Sequence, residues 1–294
     1  MKLNLMNNKS IWPNGAYLAL SIVVNVEEGA ENSIIDGDKQ AEAVDEMGLA
    51  VKPGIRNFSN ESNYAYGINA GAPRIFDLLE RRNIKATFTA AAQSLERAPQ
   101  IAQRITDGNH ETCAHGFRWQ PQHKMGEDEE RKFIRLATNS IRKTTGTRPI
   151  GWLSRYLFTA NTRRLLIEEG YRYHMDDYSD DKPFWDTQTK PGHPILILPY
   201  AIDTNDMKMW NAPAYTPRAW LEYLNDTLDF LRTEGVSAPR MMSLGLHLRI
   251  IGRPGRMAIL NEFLERTQAL QGVWIATRAE IMECWRARFP APNK

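Results

Sequence analysis

An α/β fold with a mainly parallel sheet, most simply a β/α barrel, is predicted by three features of this 294-residue chain. Short apolar runs have strand length, amphipathic stretches have helix length, and the two alternate. The runs YLALSIVVNV (17–26), IKATFTAA (84–91), GWLSRY (151–156), ILILPYAI (195–202), MMSLGLHL (241–248) and VWIAT (273–277) predict buried strands. Between the first two, GAPRIFDLLERRN sets Ile75, Leu78 and Leu79 at helical spacing. EDEERKFIRLATNSIRKTTG opens acidic, closes basic and ends on Gly146, the order the helix dipole favours. In TPRAWLEYLNDTLDFLRTEG, Thr216 predicts the N-cap, Pro217 the first helical position and Gly235 the stop. PGRMAILNEFLERTQALQG predicts a last helix. No repeat, low-complexity tract or linker divides the chain, so one domain over 1–294 is expected. NYAYG and the long stretch 30–62 lack strong periodicity, and a connection that long inside a compact domain predicts a lid or an oligomer arm near the site.

Composition narrows the partners. Lys and Arg number 37 against 35 Asp and Glu, and the net charge of +2 provides no field for nucleic acid or an anionic membrane. Cys113 and Cys284 stand far apart in no Cys-x-x-Cys spacing, which argues against a disulfide framework and a structural zinc site. The N-terminal stretch is interrupted at Asn7, Asn8, Lys9, Pro13 and Asn14, with no small-residue cleavage site after it, and no segment is apolar for a bilayer's width. A cytoplasmic location is expected.

In such a barrel the chemistry gathers at the C-terminal strand ends, and here those ends are polar. The first strand leaves Asn25, Glu27 and Glu28; HETCAHGFRW supplies His115, Arg118 and Trp119; GWLSRY supplies Arg155 and Tyr156. PYAIDTNDM adds Asp203, Asn205 and Asp206, and LGLHLR adds His247 and Arg249. Glu27 and Glu28 repel each other and lose hydration if enclosed, so they mark either a solvated strand end or an acid/base or metal site. DDYSDD lacks the ligand spacing of a calcium loop. GRPGR lacks the Lys-Ser/Thr of a phosphate loop and reads as a turn that sets Arg253 or Arg256 at a subunit contact.

NVEEG at the first strand end, HGFRW after the third, Arg-Tyr after the next and LHLRIIGRPGR near the end resemble the motif series of the polysaccharide deacetylase superfamily. The chain is most similar to the cofactor-independent branch of allantoinases and cyclic imide hydrolases. EEGAENSIIDGD, NESNYAYG, ETCAHGFRW, NTRRLLIEEG, DDYSDDKPFW, PYAIDTNDM and LGLHLRIIGRPGR carry that likeness in order across almost the whole chain. The resemblance implies a distorted (β/α) barrel of the polysaccharide deacetylase type, forming a single catalytic domain and assembling as a homo-oligomer, a dimer or tetramer. It implies a hydrolase that opens a small cyclic imide, hydantoin or ureide at a C–N bond.

Metal-dependent members carry an Asp-Asp pair and two histidines. Here the pair is Glu27 and Glu28, and Trp119 occupies the position of the second histidine. A catalytic divalent metal normally takes three protein ligands and an open position, and an indole offers only a donor N–H. His123, beyond Pro121, reads as a surface residue. Neither a metal nor any other cofactor is expected. The resemblance makes Glu27 the general base on water and has Glu28 orient His115 or hold a substrate N–H. It makes His247 a second acid/base and lets His115 polarise the carbonyl. Arg118 and Arg155 would donate to ring carbonyls or pair with Asp176 and Asp177, and Trp119 would wall a planar ring. Asn25, Tyr156, Asp203 and Asn205 complete the expected substrate contacts. The alternatives are a metal-dependent polysaccharide or peptidoglycan N-deacetylase and an inactive ligand-binding relative.

Overall fold

The computed structural model describes residues 10–49, 51–200 and 202–292. The interrupted start at Asn7, Asn8 and Lys9, and Ala201 of the expected strand 195–202, lie outside the described residues. The sheet is built around β1 (Leu18–Val26), buried along its whole length, as a strand with parallel neighbours and covered faces must be. In chain order the others are β2 (Thr87–Ala90), β3 (Glu111–Ala114), β4 (Gly151–Trp152), β5 (Tyr173–His174), β6 (Phe184–Asp186), β7 (Ile195–Ile197), β8 (Arg240–His247) and β9 (Val273–Ile275). Their lateral order is β6-β7-β5-β4-β3-β2-β1-β8, with β9 paired to the first residues of β1. Every pairing is parallel except β6 with β7. Beyond β7 the chain crosses to the free edge of β8, where Asn205 bridges Gly245. A loop thus stands where a closed barrel would have a strand, and the fold is the expected distorted β/α barrel.

Helices cover the outer face: α1 (Phe58–Tyr66), α2 (Ala72–Arg81), α3 (Ala92–Arg97), α4 (Pro99–Asp107), α5 (Glu127–Thr145), α6 (Thr162–Glu168), α7 (Pro217–Gly235), α8 (Leu248–Ile251), α9 (Pro254–Ala269) and α10 (Arg278–Arg288). Thr216 caps α7 by accepting from the Ala219 N–H, and Gly146 ends α5 at φ 74°, as the sequence predicts.

Strand parity divides the interior. Leu18, Leu20, Ile22, Val24 and Val26 of β1 join Met242, Leu244 and Leu246 of β8 in the core under the helices. Ala19 and Val23 face the concave side with Cys113, Leu196 and Met241. Because side chains alternate with period two, Asn25 and Glu27 point into the same concavity, as do Ser243, Gly245 and His247.

Several expected strands are shorter. The run 151–156 stops after Trp152, and its end turns through left-handed backbone at Tyr156 (φ 46°) and Leu157 (φ 31°). The run 195–202 stops at Ile197, two residues before Pro199, which has no N–H for a ladder. Strands β3, β5 and β6, of four, two and three residues, lie outside the predicted runs: HETCAHG and YRYHMDD mix polar and apolar residues, and β6 is only partly buried. In the stretch 30–62, a 3₁₀ turn (Ile34–Asp36) is followed, among the described residues, by irregular backbone until Asn57 caps α1, so residues 58–62 are helical.

Between α1 and α2 lies a π turn, Gly67–Gly71, the kind of helix irregularity that gathers at functional sites. A Cβ on Gly71 would land on the Leu248 carbonyl oxygen at the start of α8. Gly71→Ala is therefore expected to lower stability by about 1–3 kcal/mol through overpacking. In urea titration its midpoint should fall, whereas Gly255→Ala, with nothing within 4 Å of its new methyl, should not lower it.

Candidate active site

Glu27 and Glu28 leave β1 in opposite directions and are both buried. What holds them is Arg249, from α8, itself 1% exposed. Its Nη1 donates to Glu27 Oε2 at 2.8 Å and lies 3.4 Å from Glu28 Oε1. Glu28 also accepts the Arg249 backbone N–H at 3.2 Å and the Glu27 N–H at 3.1 Å. Gly67 makes room for it, since a Cβ there would stand 2.6 Å from Glu28 Oε1. Burial raises the Glu28 carboxyl above the usual range, against the lowering effect of Arg249. Burial works in the same direction on Glu27, yet the charges of His247 and Arg249 prevail and hold it well below the ordinary value.

His247, at the end of β8, lies 3.4 Å through Nε2 from Glu27 Oε1 and 2.7 Å through Nδ1 from Asp206 Oδ1. Asp206 also accepts the His247 and Ile251 backbone N–H groups, at 2.7 and 3.1 Å. Burial opposes an imidazolium, but Glu27 and Asp206 outweigh it and raise His247 to about 10. At neutral pH the site thus holds an ionised Glu27 beside a protonated His247.

The other histidine has a different character. His115 Nδ1 meets the Leu153 carbonyl at 2.7 Å, and its Nε2 receives the Trp119 indole N–H at 3.1 Å. A carbonyl only accepts and an indole only donates, so the ring is neutral with its proton on Nδ1. Its Nε2 stands 3.6 Å from Glu27 Oε1 with no proton to give it. The expected polarisation of a carbonyl by His115 therefore gives way to a fixed neutral ring beside Glu27.

These groups open into a cavity of about 100 Å³ lined by Glu27, His115, Trp119, Tyr156, Tyr200 and His247 among others.

A polysaccharide deacetylase family profile matches residues 62–174. A Schizosaccharomyces pombe protein named for polysaccharide deacetylases is 33% identical over 95% of this chain and 93% of its own. This chain belongs to the polysaccharide deacetylase family. Two solved structures show the same fold over 97% of the chain at 40% identity. One, titled as a polysaccharide deacetylase of Pseudomonas aeruginosa PAO1, has a TM-score of 0.92 over 96% of its length. The other, a PuuE allantoinase, has 0.91 over 95%. The family reading makes the chain a hydrolase acting on C–N bonds.

The metal of metal-dependent polysaccharide deacetylases has no fitting ligand set here. Among the described residues, no group of three His, Cys, Asp or Glu side chains could hold a metal ion. The candidate donors are engaged otherwise: His115 Nε2 by the indole N–H, Glu27 by Arg249, and His247 by two carboxylates.

Not every expected contact residue reaches the cavity. Asn25, Trp119, Arg155, Tyr156 and Asn205 line it. Arg155, however, is tied to Glu42 at 2.6 and 2.9 Å and to the Trp119 carbonyl, and its guanidinium lies 3.7 Å over the Trp119 ring. It braces the indole and fastens the irregular segment beside the site. Arg118 lies outside, bonded to Asp38 and the Glu31 carbonyl. Neither pairs with Asp176 or Asp177: Asp176 meets His174 and the Ser154 N–H, and Asp177 meets Arg163. Asp203 is exposed and accepts from Tyr223. His123 is exposed, as expected. Arg253 and Arg256, expected at a subunit contact, bond within the chain to Asn63 and Ile250.

Three residues outside the expected site belong to it. Arg249 and Asp206 stand in quoted motifs, and the usable signal was a cation two positions beyond His247 and a second Asp in DTNDM. Tyr200, from the run 195–202, follows strand parity into the cavity.

Arg249→Met would leave two buried carboxylates without their cation, and a loss of about 3–5 kcal/mol is expected at pH 7. Chemical denaturation should show a smaller loss near pH 4, where the carboxylates take up protons. For His247, the folded value lies above the unfolded one. Its contribution to stability is therefore complete below about 6.5 and is lost as pH rises through about 10. NMR titration should find its imidazole protonated from pH 6 to 9, while denaturation midpoints fall progressively from about pH 6.5 to about 10 and level off above.

Proposed function

We propose that this polysaccharide deacetylase family member opens the ring of a small cyclic amide, a cyclic imide or an allantoin-like hydantoin, by metal-free hydrolysis of a C–N bond. The observation that carries the reading is the approach of Glu27 Oε1 to His247 Nε2, 3.4 Å apart, at a cavity where the Trp119 indole N–H occupies the lone pair of His115. The 40% identity to a PuuE allantoinase over nearly the whole chain supports it.

Glu27 takes a proton from water as the oxygen attacks the ring carbonyl. The carbonyl's electron pair moves onto oxygen, then returns as the C–N bond breaks. His247 delivers its proton to the departing nitrogen and regains one from Glu27, 3.4 Å away. Net, water adds a hydroxyl to carbon and a proton to nitrogen. A carboxylate held below its usual range is a weak base, so the reaction needs an activated carbonyl and a good leaving group. An imide or hydantoin nitrogen, flanked by carbonyls, meets that need better than the nitrogen of an N-acetyl sugar.

Ring opening should be followed on succinimide, maleimide, hydantoin, allantoin and dihydrouracil, with chitin oligomers as the deacetylation control. At least one ring should open at a rate unaffected by EDTA, and Glu27→Gln should lower kcat by about 10²- to 10⁴-fold. Loss of activity with EDTA and its return with zinc would overturn the metal-free reading. Release of acetate from the oligomers with no ring opened would favour a deacetylase.

A further inference from the structure

The geometry points to the Tyr200 hydroxyl as the donor that holds the substrate carbonyl and stabilises the oxyanion formed on it. This inference rests on the ring-opening reading and names the group that completes that site.

Two amides of fixed orientation face the phenol oxygen. Asn25 Nδ2 donates to the Leu246 carbonyl at 3.0 Å, and since a carbonyl only accepts, the amide cannot be turned over. That same Nδ2 lies 3.1 Å from Tyr200 Oη. Asn205 is fixed from its other end: its Oδ1 accepts the Met207 backbone N–H at 2.9 Å, so its Nδ2 must face Tyr200 Oη, at 3.2 Å. Two N–H groups thus fill both lone pairs of the phenol oxygen. Its own hydrogen has no acceptor among the described residues, although Tyr200 is 7% exposed and lines the cavity with Glu27 and His247.

The surrounding structure is shaped to this arrangement. On β8, Gly245 leaves the space open: a Cβ there would meet Tyr200 Oη and stand 2.6 Å from Asn205 Nδ2. The Asn205–Gly245 bridge at the free edge of β8 holds the second amide in place. Asn25 is pinned in turn by the Thr89 hydroxyl at 2.6 Å. Burial pushes the phenol far above its ordinary value, so it keeps its proton at all working pH values. Donors aimed at the phenol oxygen polarise its O–H bond and strengthen it as a donor. A neutral donor, fixed in a small cavity and left without a protein acceptor, is what an oxyanion requires.

When water attacks, the carbonyl's electron pair moves onto oxygen. The Tyr200 O–H bonds to that oxyanion without giving up its proton. As the pair returns, the C–N bond breaks and nitrogen takes its proton from His247.

The test uses the full chain and whichever ring the wild type opens. Tyr200→Phe should lower kcat by about 10²- to 10³-fold, the effect of removing one oxyanion donor, with KM changing less than about threefold. Both limbs of the pH profile should stay where they are, since Glu27 and His247 remain. Fluorinated tyrosines placed at position 200 alone keep the two amide bonds while varying the acidity of the phenol. Their kcat values should change steadily with that acidity, which a merely structural tyrosine would not produce. A folded Tyr200→Phe within threefold of wild-type kcat, or a flat fluorotyrosine series if that variant does not fold, overturns the assignment while the ring-opening reading stands. A wild type that opens no ring overturns that reading and the assignment with it.

Discussion

The site is organised by a guanidinium that has almost no contact with water. Arg249 sits between two carboxylates and beneath two aromatic faces, its Cζ 4.3 Å from the Tyr64 ring centroid and 5.5 Å from that of Trp119. Removing a charge from water costs several kcal/mol, and only opposite charge with good geometry offsets it. That explains why two glutamates stand together at the end of an apolar strand. Each alone would be driven towards its neutral form; with Arg249 between them and His247 beside Glu27, the first remains ionised. Glu28 completes the cluster from the side away from the cavity, where it bonds the backbone N–H groups of Glu27 and Arg249 and so fixes both chain segments.

The same cluster depends on close backbone approach. Arg249 reaches β1 because α8 is packed against the π turn, and that contact tolerates no side chain at Gly71 or Gly252. On the concave face, strand parity does the corresponding work. Ala19, Ser21, Val23, Asn25 and Glu27 run from the closed end of the barrel to its mouth, and apolar residues give way to polar ones over the last positions. Opposite them, β8 presents Met241, Ser243, Gly245 and His247 in register, with Asn25 paired to His247. A shift of one residue would bury the leucines of β8 in the cavity and turn His247 into the helix layer, so the hydrophobic pattern that fixes the register also fixes the chemistry.

Much of this was legible in the sequence. The run 17–26 is apolar enough to identify the central strand, and the cap and stop signals of α5 and α7 are local, so they could be read without a partner. Thr277 and Glu280 form a capping box that marks the start of α10 in the same local way. β3, β5 and β6 were not legible, because each is short and set among polar residues with no apolar run around it. Within the site, residues were found where a strand end delivers them. Arg249 and Asp206 were read at strand ends without a role, because a role depends on the partner: Arg249 serves a glutamate 222 positions away, and Asp206 serves His247. Arg118 and Arg155 read as substrate donors because composition cannot distinguish a free guanidinium from one fastened to Asp38 or Glu42. Asp203 and Asp206 stand three residues apart, and only the 3₁₀ turn that follows Asn205 decides which is buried.

Trp119 has the widest consequence for a single residue. A histidine at its position would offer a second lone pair near Glu27; the indole offers a proton and spends it on the lone pair that His115 would otherwise present. Arg155 then stacks on the indole and ties it to Glu42, so the ring is held by the segment that covers this side of the barrel. In the proposed reading Glu27 works with cations of fixed position, Arg249 and His247, in place of a metal's exchangeable coordination. An ion pair of that kind has both base and acid in place before substrate arrives, but it lacks a strong Lewis acid. In the proposed reading the missing activation comes from the substrate itself, since a ring carbonyl conjugated to an electron-poor nitrogen is already a better electrophile than an acetamide. The exchange of one ligand for an indole would thus change which amides the same barrel can hydrolyse, with the strand that carries the carboxylates left in place.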